Sequence, residues 1–247
     1  MKKILVANWK ENPLTEKEAI LLAKNSDVLG VVICPPSIFL SPVSKVVKSA
    51  TLGAQDGFYE ASGPFTGEVS MSQIKELGAK YVIIGHSKRR ELGESEMVIA
   101  RKVASAIENG LMPIVCVGET SEDRAAGKTK EVVDRQLRSA FSLLPAGIES
   151  GRKVYVAYEP IWAISTNKRV GEEVKSDTPE SAQTVVRYLQ GVARGLPVEV
   201  NFLYGGSVNP ENAVSFISCQ EFSGLLVGGV SIKNQEMKQL IKAVSDL

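Results

Sequence analysis

Eight short apolar segments recur along the chain, and most are followed by small or polar residues. They are Ile4–Ala7, Val31–Cys34, Thr51–Ala54, Tyr81–Ile84, Pro113–Val117, Val154–Tyr158, Asn201–Tyr204 and Gly224–Val227. Each is almost continuously apolar rather than alternating, which is typical of strands buried on both faces of a parallel sheet. The pattern therefore predicts eight parallel strands.

Helical patterns lie between these segments. Two apolar stripes have helical spacing: Val133, Leu137, Ala140, Phe141 and Leu144, and Met97, Ala100, Ala104 and Ile107. Gly110 is placed to end the second of these helices. Thr178 and Asn209 each precede a proline and an acidic residue, which predicts a helix N-cap at both positions.

Strands that alternate with helices predict right-handed parallel crossovers. Eight such units in 247 residues have the size of a closed (β/α)8 barrel, the TIM barrel of the α/β class. A doubly wound sheet is the alternative, although it would more often divide into two lobes. Because no segment has the composition of a linker, we expect residues 1–247 to form a single domain.

Composition narrows the classes of partner. The chain has 29 Lys and Arg against 28 Asp and Glu, so no bulk charge predicts nucleic acid or acidic lipid as a partner. No apolar run approaches the ~18–20 residues of a membrane span, and we expect no signal peptide. Three widely spaced cysteines, Cys34, Cys116 and Cys219, favour a reducing compartment, and we expect a cytoplasmic protein.

Histidine chemistry can involve only His86, the single histidine of the chain. A zinc motif with two histidines is therefore excluded. We predict that the protein uses neither a metal ion nor another cofactor.

In a barrel of this kind, functional residues collect at the C-terminal ends of the strands. The ionisable residues at these positions are Lys10, Asp56, His86, Glu119 and Glu159. Glu159 follows a buried strand, where partial desolvation would make it a usable base. A helix that begins at Ser87 could hold His86 neutral. His86 has an ordinary alternative as a structural residue, and Glu159 and Lys10 each have one as a surface group.

Glycine pairs follow the seventh and eighth predicted strands. Gly205-Gly206-Ser207 and Gly228-Gly229 could present backbone N–H groups to a phosphate, or could simply form tight turns. Neither is a GxGxxG or Walker motif, so nucleotide binding is not favoured. Together with Lys10, His86 and Glu159, these loops suit proton abstraction beside the carbonyl of a small phosphorylated substrate.

Nine motifs stand in a distinctive order. They are Ala7-Asn8-Trp9-Lys10 with Asn12, Cys34-Pro35-Pro36, Gly53-Ala54-Gln55, Ser62–Ser70, Ile84-Gly85-His86-Ser87 with Arg89-Arg90, Cys116–Glu119, Ala157–Ile164, Tyr204–Val208 and Leu226–Gly229. With these motifs in register, the chain resembles the triosephosphate isomerase family along nearly its whole length.

The resemblance implies interconversion of dihydroxyacetone phosphate and D-glyceraldehyde 3-phosphate through an enediolate, without a cofactor, in glycolysis and gluconeogenesis. In the known mechanism of that family, Glu159 would be the base and His86 the neutral electrophile that polarises the carbonyl. Asn8 and Lys10 would bind the substrate and stabilise the enediolate. Ser87, Lys88, Cys116 and Asp56 would surround these groups.

The resemblance also implies a phosphate site and a lid. Backbone N–H groups of Ser165, Ser207, Gly228 and Gly229 would hold the phosphate. The lid would exclude water from the enediolate. Its residues would be Pro160, Ile161, Trp162, Ala163, Ile164, Ser165, Thr166, Asn167 and Lys168.

The family is usually a homodimer, in which the third strand-to-helix loop reaches into the neighbouring subunit. Here that loop is about residues 55–70, and its contact residues would be Gln55, Phe65, Thr66 and Gly67. Thr66 would approach the partner's active site. The aromatic residues of this loop also favour a covering partner. The expected partners are thus a phosphorylated triose and a second copy, and neither nucleic acid nor a membrane.

Charge at the site departs from the family pattern. Lys88 replaces an acid that normally lies near the catalytic lysine, and Asp56 replaces a usual asparagine. Two ammonium groups ~4 Å apart would repel by ~4 kcal/mol at an effective dielectric constant near 20. We hypothesise that Asp56 carries the displaced negative charge and pairs with Lys88 or Lys10, unless Lys88 points away.

The lid departs as well. It reads Ser165-Thr166-Asn167 where the family usually has Gly-Thr-Gly, and the polar segment 169–177 follows. We predict slower or incomplete closure. A weakened, dimeric phosphate-binding barrel is therefore an alternative function. Another phosphate-binding barrel enzyme, such as an indole-forming synthase, is a third, which the segment Tyr158–Ala163 argues against.

Overall fold

The chain folds into a closed parallel barrel with its strands in sequence order, β1 pairing with both β2 and β8. The computed structural model describes residues 3–144, 147–148, 151–164 and 177–245. The strands are β1 (Ile4–Asn8), β2 (Val31–Cys34), β3 (Thr51–Ala54), β4 (Tyr81–Ile84), β5 (Met112–Val117), β6 (Lys153–Tyr158), β7 (Glu199–Tyr204) and β8 (Gly224–Val227). The predicted barrel is confirmed, and no strand end differs from its predicted position by more than two residues.

Helices follow the strands around the barrel. Within the described ranges they are α1 (Glu16–Asn25), α2 (Leu40–Ser44), α3 (Met71–Glu76), α4 (Ser87–Glu91), α5 (Glu96–Glu108), α6 (Ser121–Ala125), α7 (Thr129–Ala140), α8 (Pro179–Ala193), α9 (Ala213–Ile217) and α10 (Asn234–Ser245). Short 3-10 turns occupy Ser37–Phe39, Ile161–Ala163 and Gly229–Ile232. No helix of this part of the chain is both long and apolar enough to cross a membrane.

The two predicted N-caps have different outcomes. Thr178 caps α8, since its hydroxyl accepts from the backbone N–H of Ser181. Asn209 is not the N-cap of α9, which begins only at Ala213 with Asn212 as its N-cap. Asn209 and Asn212 each accept from the other's backbone N–H at 2.9 Å. This reciprocal pairing has the pattern of a capping box, formed one turn before α9.

The buried face of α5 differs from the predicted stripe. Met97 is 57% exposed, whereas Ile99 and Val103 are fully buried. Gly110 lies beyond the helix end with a φ of +69°, as its predicted role as a stop requires. In α7 the helix ends at Ala140, so the rest of that stripe packs on the core from beyond the helix.

The alternation of strand side chains divides the core into two layers. One layer fills the barrel interior and the other lies between the strands and the helices. The interior side chains are Val6, Val32, Cys34, Ile83, Ile114, Cys116, Tyr155, Ala157, Leu203 and Leu226. Because the interior is packed, the open C-terminal end of the barrel is left for ligand binding.

Candidate active site

The predicted catalytic side chains meet at the C-terminal end of the barrel. Asn8 ends β1, His86 follows β4 by two residues and Glu159 directly follows β6. Asn8, Lys10 and His86 line a cavity of about 580 Å³. The Nε2 atom of His86 lies 3.3 Å from Oε1 of Glu159.

His86 is held by the start of α4, which begins at Ser87 as expected. Its Nδ1 atom accepts from the backbone N–H of Lys88 at 3.2 Å. In a neutral ring the proton therefore lies on Nε2. The nearly buried imidazole thus presents a hydrogen-bond donor toward Glu159 and the centre of the site.

Glu159 is 2% exposed and lies in a site that glycines make possible. The backbone N–H of Ser87 donates to its Oε2 at 3.2 Å. A Cβ on Gly118 would lie 1.8 Å from the carbonyl oxygen of Glu159, and a Cβ on Gly205 would lie 2.9 Å from its Cγ. The loops after β5 and β7 can pack against the carboxylate residue only because both positions lack a side chain.

Cys116 lies against the same carboxylate. Complete burial is the main cause that raises the pKa of its thiol, and the charge of Glu159 raises it further. The thiol therefore stays protonated and can donate to the carboxylate. Sequence alone gave this cysteine a place near the site but no such contact.

Lys10 has a left-handed backbone, with a φ of +55°, which is uncommon for a residue other than glycine. Its N–H donates to Oδ1 of Asn8 at 3.0 Å, and its carbonyl accepts from Nε2 of Gln55 at 2.7 Å. The same amide of Gln55 donates to the carbonyl of Cys34. These bonds hold the strained backbone in place, as is common at functional sites.

The ammonium of Lys10 is sensitive to its surroundings. Burial is the largest cause that lowers its pKa, Glu159 acts to raise it, and Lys88 acts to lower it further. The charges of Glu159 and Lys88 therefore both act on the ammonium group of Lys10.

The hypothesis that Asp56 pairs with Lys88 or Lys10 is wrong. Both of its carboxylate oxygens lie 2.8 Å from Nζ of Lys102, and Arg89 lies 3.1 Å away. Glu94 also pairs with Lys102 and Arg89. The carboxylate turns toward α5 because Lys102, which is 2% exposed, needs opposite charge in its buried place.

Lys88 has a different partner. Its ammonium pairs with Oε2 of Glu91 at 2.6 Å along α4. It still lines the cavity with Lys10 and acts on the pKa of that lysine. The acid missing from the family position is therefore not replaced by Asp56.

One of the two expected phosphate loops, Gly228-Gly229, lies beside Lys10. A Cβ on Gly228 would lie 3.3 Å from Cε of Lys10. Gly229 begins a 3-10 turn, in which the hydroxyl of the buried Ser231 donates to the carbonyls of Asn8 and Gly228. The sequence reasoning missed Ser231, although its small polar side chain two residues after the glycine pair was a usable signal.

Glu119 supports the first residues of the expected lid instead of facing the cavity. Its fully buried carboxylate accepts from the hydroxyl of Tyr158 and from Nε1 of Trp162, at 3.1 and 2.9 Å. Arg124 pairs with it at 3.3 Å and stacks over the Trp162 ring. Residues 165–168 of the expected lid, and the following segment to residue 176, lie outside the described residues.

The third loop carries an aromatic cluster. The ring of Phe58 lies 4.4 Å from that of Tyr59 and 4.8 Å from that of Phe65, measured between centroids. Phe65 is 40% exposed, and Gly67 has a φ of +94°. Gln55, Gly67 and Lys88 line the same cavity. Thr66 lies exposed between Phe65 and Gly67.

Over the described ranges, no group of three or more His, Cys, Asp or Glu side chains is placed to hold a metal ion. The polar residues that line the cavity come from the end of β1 and from the segments that follow β1, β2, β3 and β4.

Comparison with known proteins identifies the family. The family model described as triosephosphate isomerase matches residues 3–244. The triosephosphate isomerases of Dictyoglomus thermophilum and Aquifex aeolicus are 40% and 36% identical to this chain, with 98% of it and 99% of each relative covered. A crystal structure of triosephosphate isomerase from Bartonella henselae superposes with a TM-score of 0.84 at 30% identity, covering 99% of this chain and all of that one. The chain therefore belongs to the triosephosphate isomerase family and is an isomerase.

Proposed function

We propose that the protein interconverts dihydroxyacetone phosphate and D-glyceraldehyde 3-phosphate, with Glu159 as the base. The observation that carries this proposal is the buried pair of Glu159 and His86, with Nε2 and Oε1 3.3 Å apart. A carboxylate beside a neutral donor can remove a proton from carbon while the donor polarises the neighbouring carbonyl.

In the forward step, Glu159 takes a proton from the carbon next to the carbonyl, and the C–H electrons form the double bond of the enediolate. Nε2–H of His86 donates to the oxygen that gains negative charge. Lys10 and Asn8 stabilise the same charge. A proton then passes from the hydroxyl oxygen to the oxygen of the former carbonyl. Glu159 returns its proton to the adjacent carbon, which completes the isomerisation without a cofactor.

The phosphate would be held by backbone N–H groups of Ser207, Gly228 and Gly229, with Ser165 contributing from outside the described residues. The absence of a Cβ at Gly228 supports this assignment, because it lets the phosphate loop and Lys10 lie side by side. The predicted slower or incomplete lid closure concerns Ser165-Thr166-Asn167 and the segment 169–177. It is tested by comparing the order of the lid with and without ligand.

We further propose a cytoplasmic homodimer of single-domain subunits, joined through the third loop. Exposed apolar side chains that follow the cavity-lining residues Glu11, Ser37 and Arg89 along the chain support the contact: Leu14 is 87% exposed, Ile38 75% and Leu92 81%. Apolar surface of this kind favours a covering partner. A second copy would cover it, with Thr66 at the partner's site. Sedimentation of the parent chain as a monomer at micromolar concentration would contradict the dimer.

The catalytic proposal is tested by the turnover of D-glyceraldehyde 3-phosphate in the presence of a chelator. Glu159→Gln should reduce kcat at least ~100-fold, since it removes the base. Glu199→Gln is the matched control, because Glu199 begins β7 at the opposite end of the barrel. A parent chain without activity, or a folded Glu159→Gln variant with parental kcat, would refute the proposal.

A further inference from the structure

Lys88 contributes a second ammonium group to the wall of the cavity. It lines the cavity with Lys10 and His86, and its side chain is 45% exposed. Its backbone N–H donates to Nδ1 of His86. The residue that carries this charge is therefore fixed next to the residue assigned as the electrophile.

The charge of Lys88 reaches the centre of the site. After burial, which is the largest cause, Lys88 contributes to the lowered pKa of Lys10. A charge that repels one ammonium must attract an anion bound at the same place. Lys88 therefore acts on the substrate as well as on Lys10.

The carboxylate partner of Lys88 lies outside the cavity. Glu91 pairs with Lys88 but is 65% exposed on its side chain and does not line the cavity. The ion pair therefore presents its positive end to the cavity. Glu11 and Glu68 also line the cavity and are exposed, so water screens them as it screens Lys88. Asp56 is held by other cations.

On the premise of the proposed function, we propose that the positive charge of Lys88 attracts the phosphate ester of the substrate toward Lys10. Such an ester carries a charge of about −1.5 to −2 near pH 7. Lys88 makes the enzyme favour a dianionic triose over an uncharged one. It acts on capture of the substrate and not on the proton transfer itself.

The test measures kcat/KM as a function of ionic strength in two variants that are expected to change it in opposite directions. Lys88→Gln should lower kcat/KM for D-glyceraldehyde 3-phosphate about 3- to 10-fold near 10 mM salt, and less than about 2-fold near 0.5 M. Glu91→Gln should raise it at low salt, because it removes the opposing charge. Lys88→Arg should keep the parental value.

Lys153→Gln is the matched control. Lys153 forms an exposed pair with Glu199 at the start of β6, at the opposite end of the barrel. The same change of net charge should there leave kcat/KM within about 2-fold of the parent. The inference would be overturned if kcat/KM depended on salt equally in the parent and in Lys88→Gln. It would also be overturned if Glu91→Gln lowered kcat/KM at low salt, as Lys88→Gln is expected to do. Glu91→Gln keeps this test valid if Lys88→Gln folds poorly.

Two further measurements separate this inference from the proposed reaction. Unphosphorylated glyceraldehyde carries no charge for Lys88 to attract. Its turnover should therefore differ less than about 2-fold between the parent and Lys88→Gln, as kcat/KM for the phosphorylated substrate does at high salt, where the charge is screened. Binding of inorganic phosphate, followed by calorimetry, needs no turnover, and Lys88→Gln should weaken it several-fold. If the parent chain were inactive, the proposed reaction would fail while a Lys88-dependent phosphate affinity would still support the charge role. Equal phosphate affinity in both proteins would reject that role.

Discussion

Replacement of Gly205 by alanine should displace the base without unfolding the barrel. The added Cβ would lie 2.9 Å from Cγ of Glu159, whereas carbon atoms in favourable contact lie about 3.5–4.0 Å apart. The glutamate side chain must therefore move by at least about 0.6 Å. The backbone bond from the N–H of Gly205 to the carbonyl of Tyr158 is compatible with alanine.

A displacement of about 1 Å can reduce catalysis on the order of 100-fold. We therefore expect Gly205→Ala to lower kcat about 10- to 100-fold, with a smaller change in KM. The loss falls mainly on kcat because Glu159 acts in the transition state, whereas the phosphate loops contribute to binding in both states. The assay is steady-state turnover of D-glyceraldehyde 3-phosphate, with circular dichroism to establish folding.

Gly191→Ala is the matched control. Gly191 lies in α8, and a Cβ there would meet no atom within 4 Å. Alanine should leave turnover unchanged and increase the free energy of unfolding by about 0.5–1 kcal/mol. A folded Gly205→Ala variant with parental kcat would refute the packing argument, as would a loss confined to KM.

The observed contacts predict the effects of three further substitutions. Lys88→Gln removes a charge that lowers the pKa of Lys10, so the alkaline limb of the kcat/KM profile should move to higher pH. Lys102→Met leaves two partly buried carboxylates without their shared ammonium and should lower the free energy of unfolding by about 2–4 kcal/mol in urea titration. Trp162→Phe removes the donor to buried Glu119 and should destabilise the protein by about 1–3 kcal/mol in the same titration, with a parental midpoint contradicting that role.

Sequence reasoning succeeded where the signal is local. The strands were predictable because parallel strands buried on both faces are continuously apolar. Asn8, His86 and Glu159 could be placed at one end of the barrel because every parallel strand ends there. Their mutual distances and the tautomer of His86 depend on packing between distant strands, which sequence alone does not show.

The errors come from contacts that are distant along the chain. Asp56 pairs with Lys102, which lies 46 positions further on in α5. A lysine in a helix is normally a surface residue, so nothing in the sequence indicated that this one is buried. The predicted apolar face of α5 was wrong for the same reason. Its inward face includes Lys102, whereas Met97 faces solvent.

The ion cluster of Asp56, Arg89, Glu94 and Lys102 links the loop after β3 with α4, with the turn that follows it and with α5. None of these segments can separate from the others without exposing unpaired charge to a poorly solvated interior. They should therefore open as one cooperative unit, with matched rates of amide hydrogen exchange. On this prediction, the loop expected at the subunit contact and the helix that positions His86 would share a single local unfolding equilibrium, which would couple the integrity of the proposed interface to that of the proposed catalytic centre.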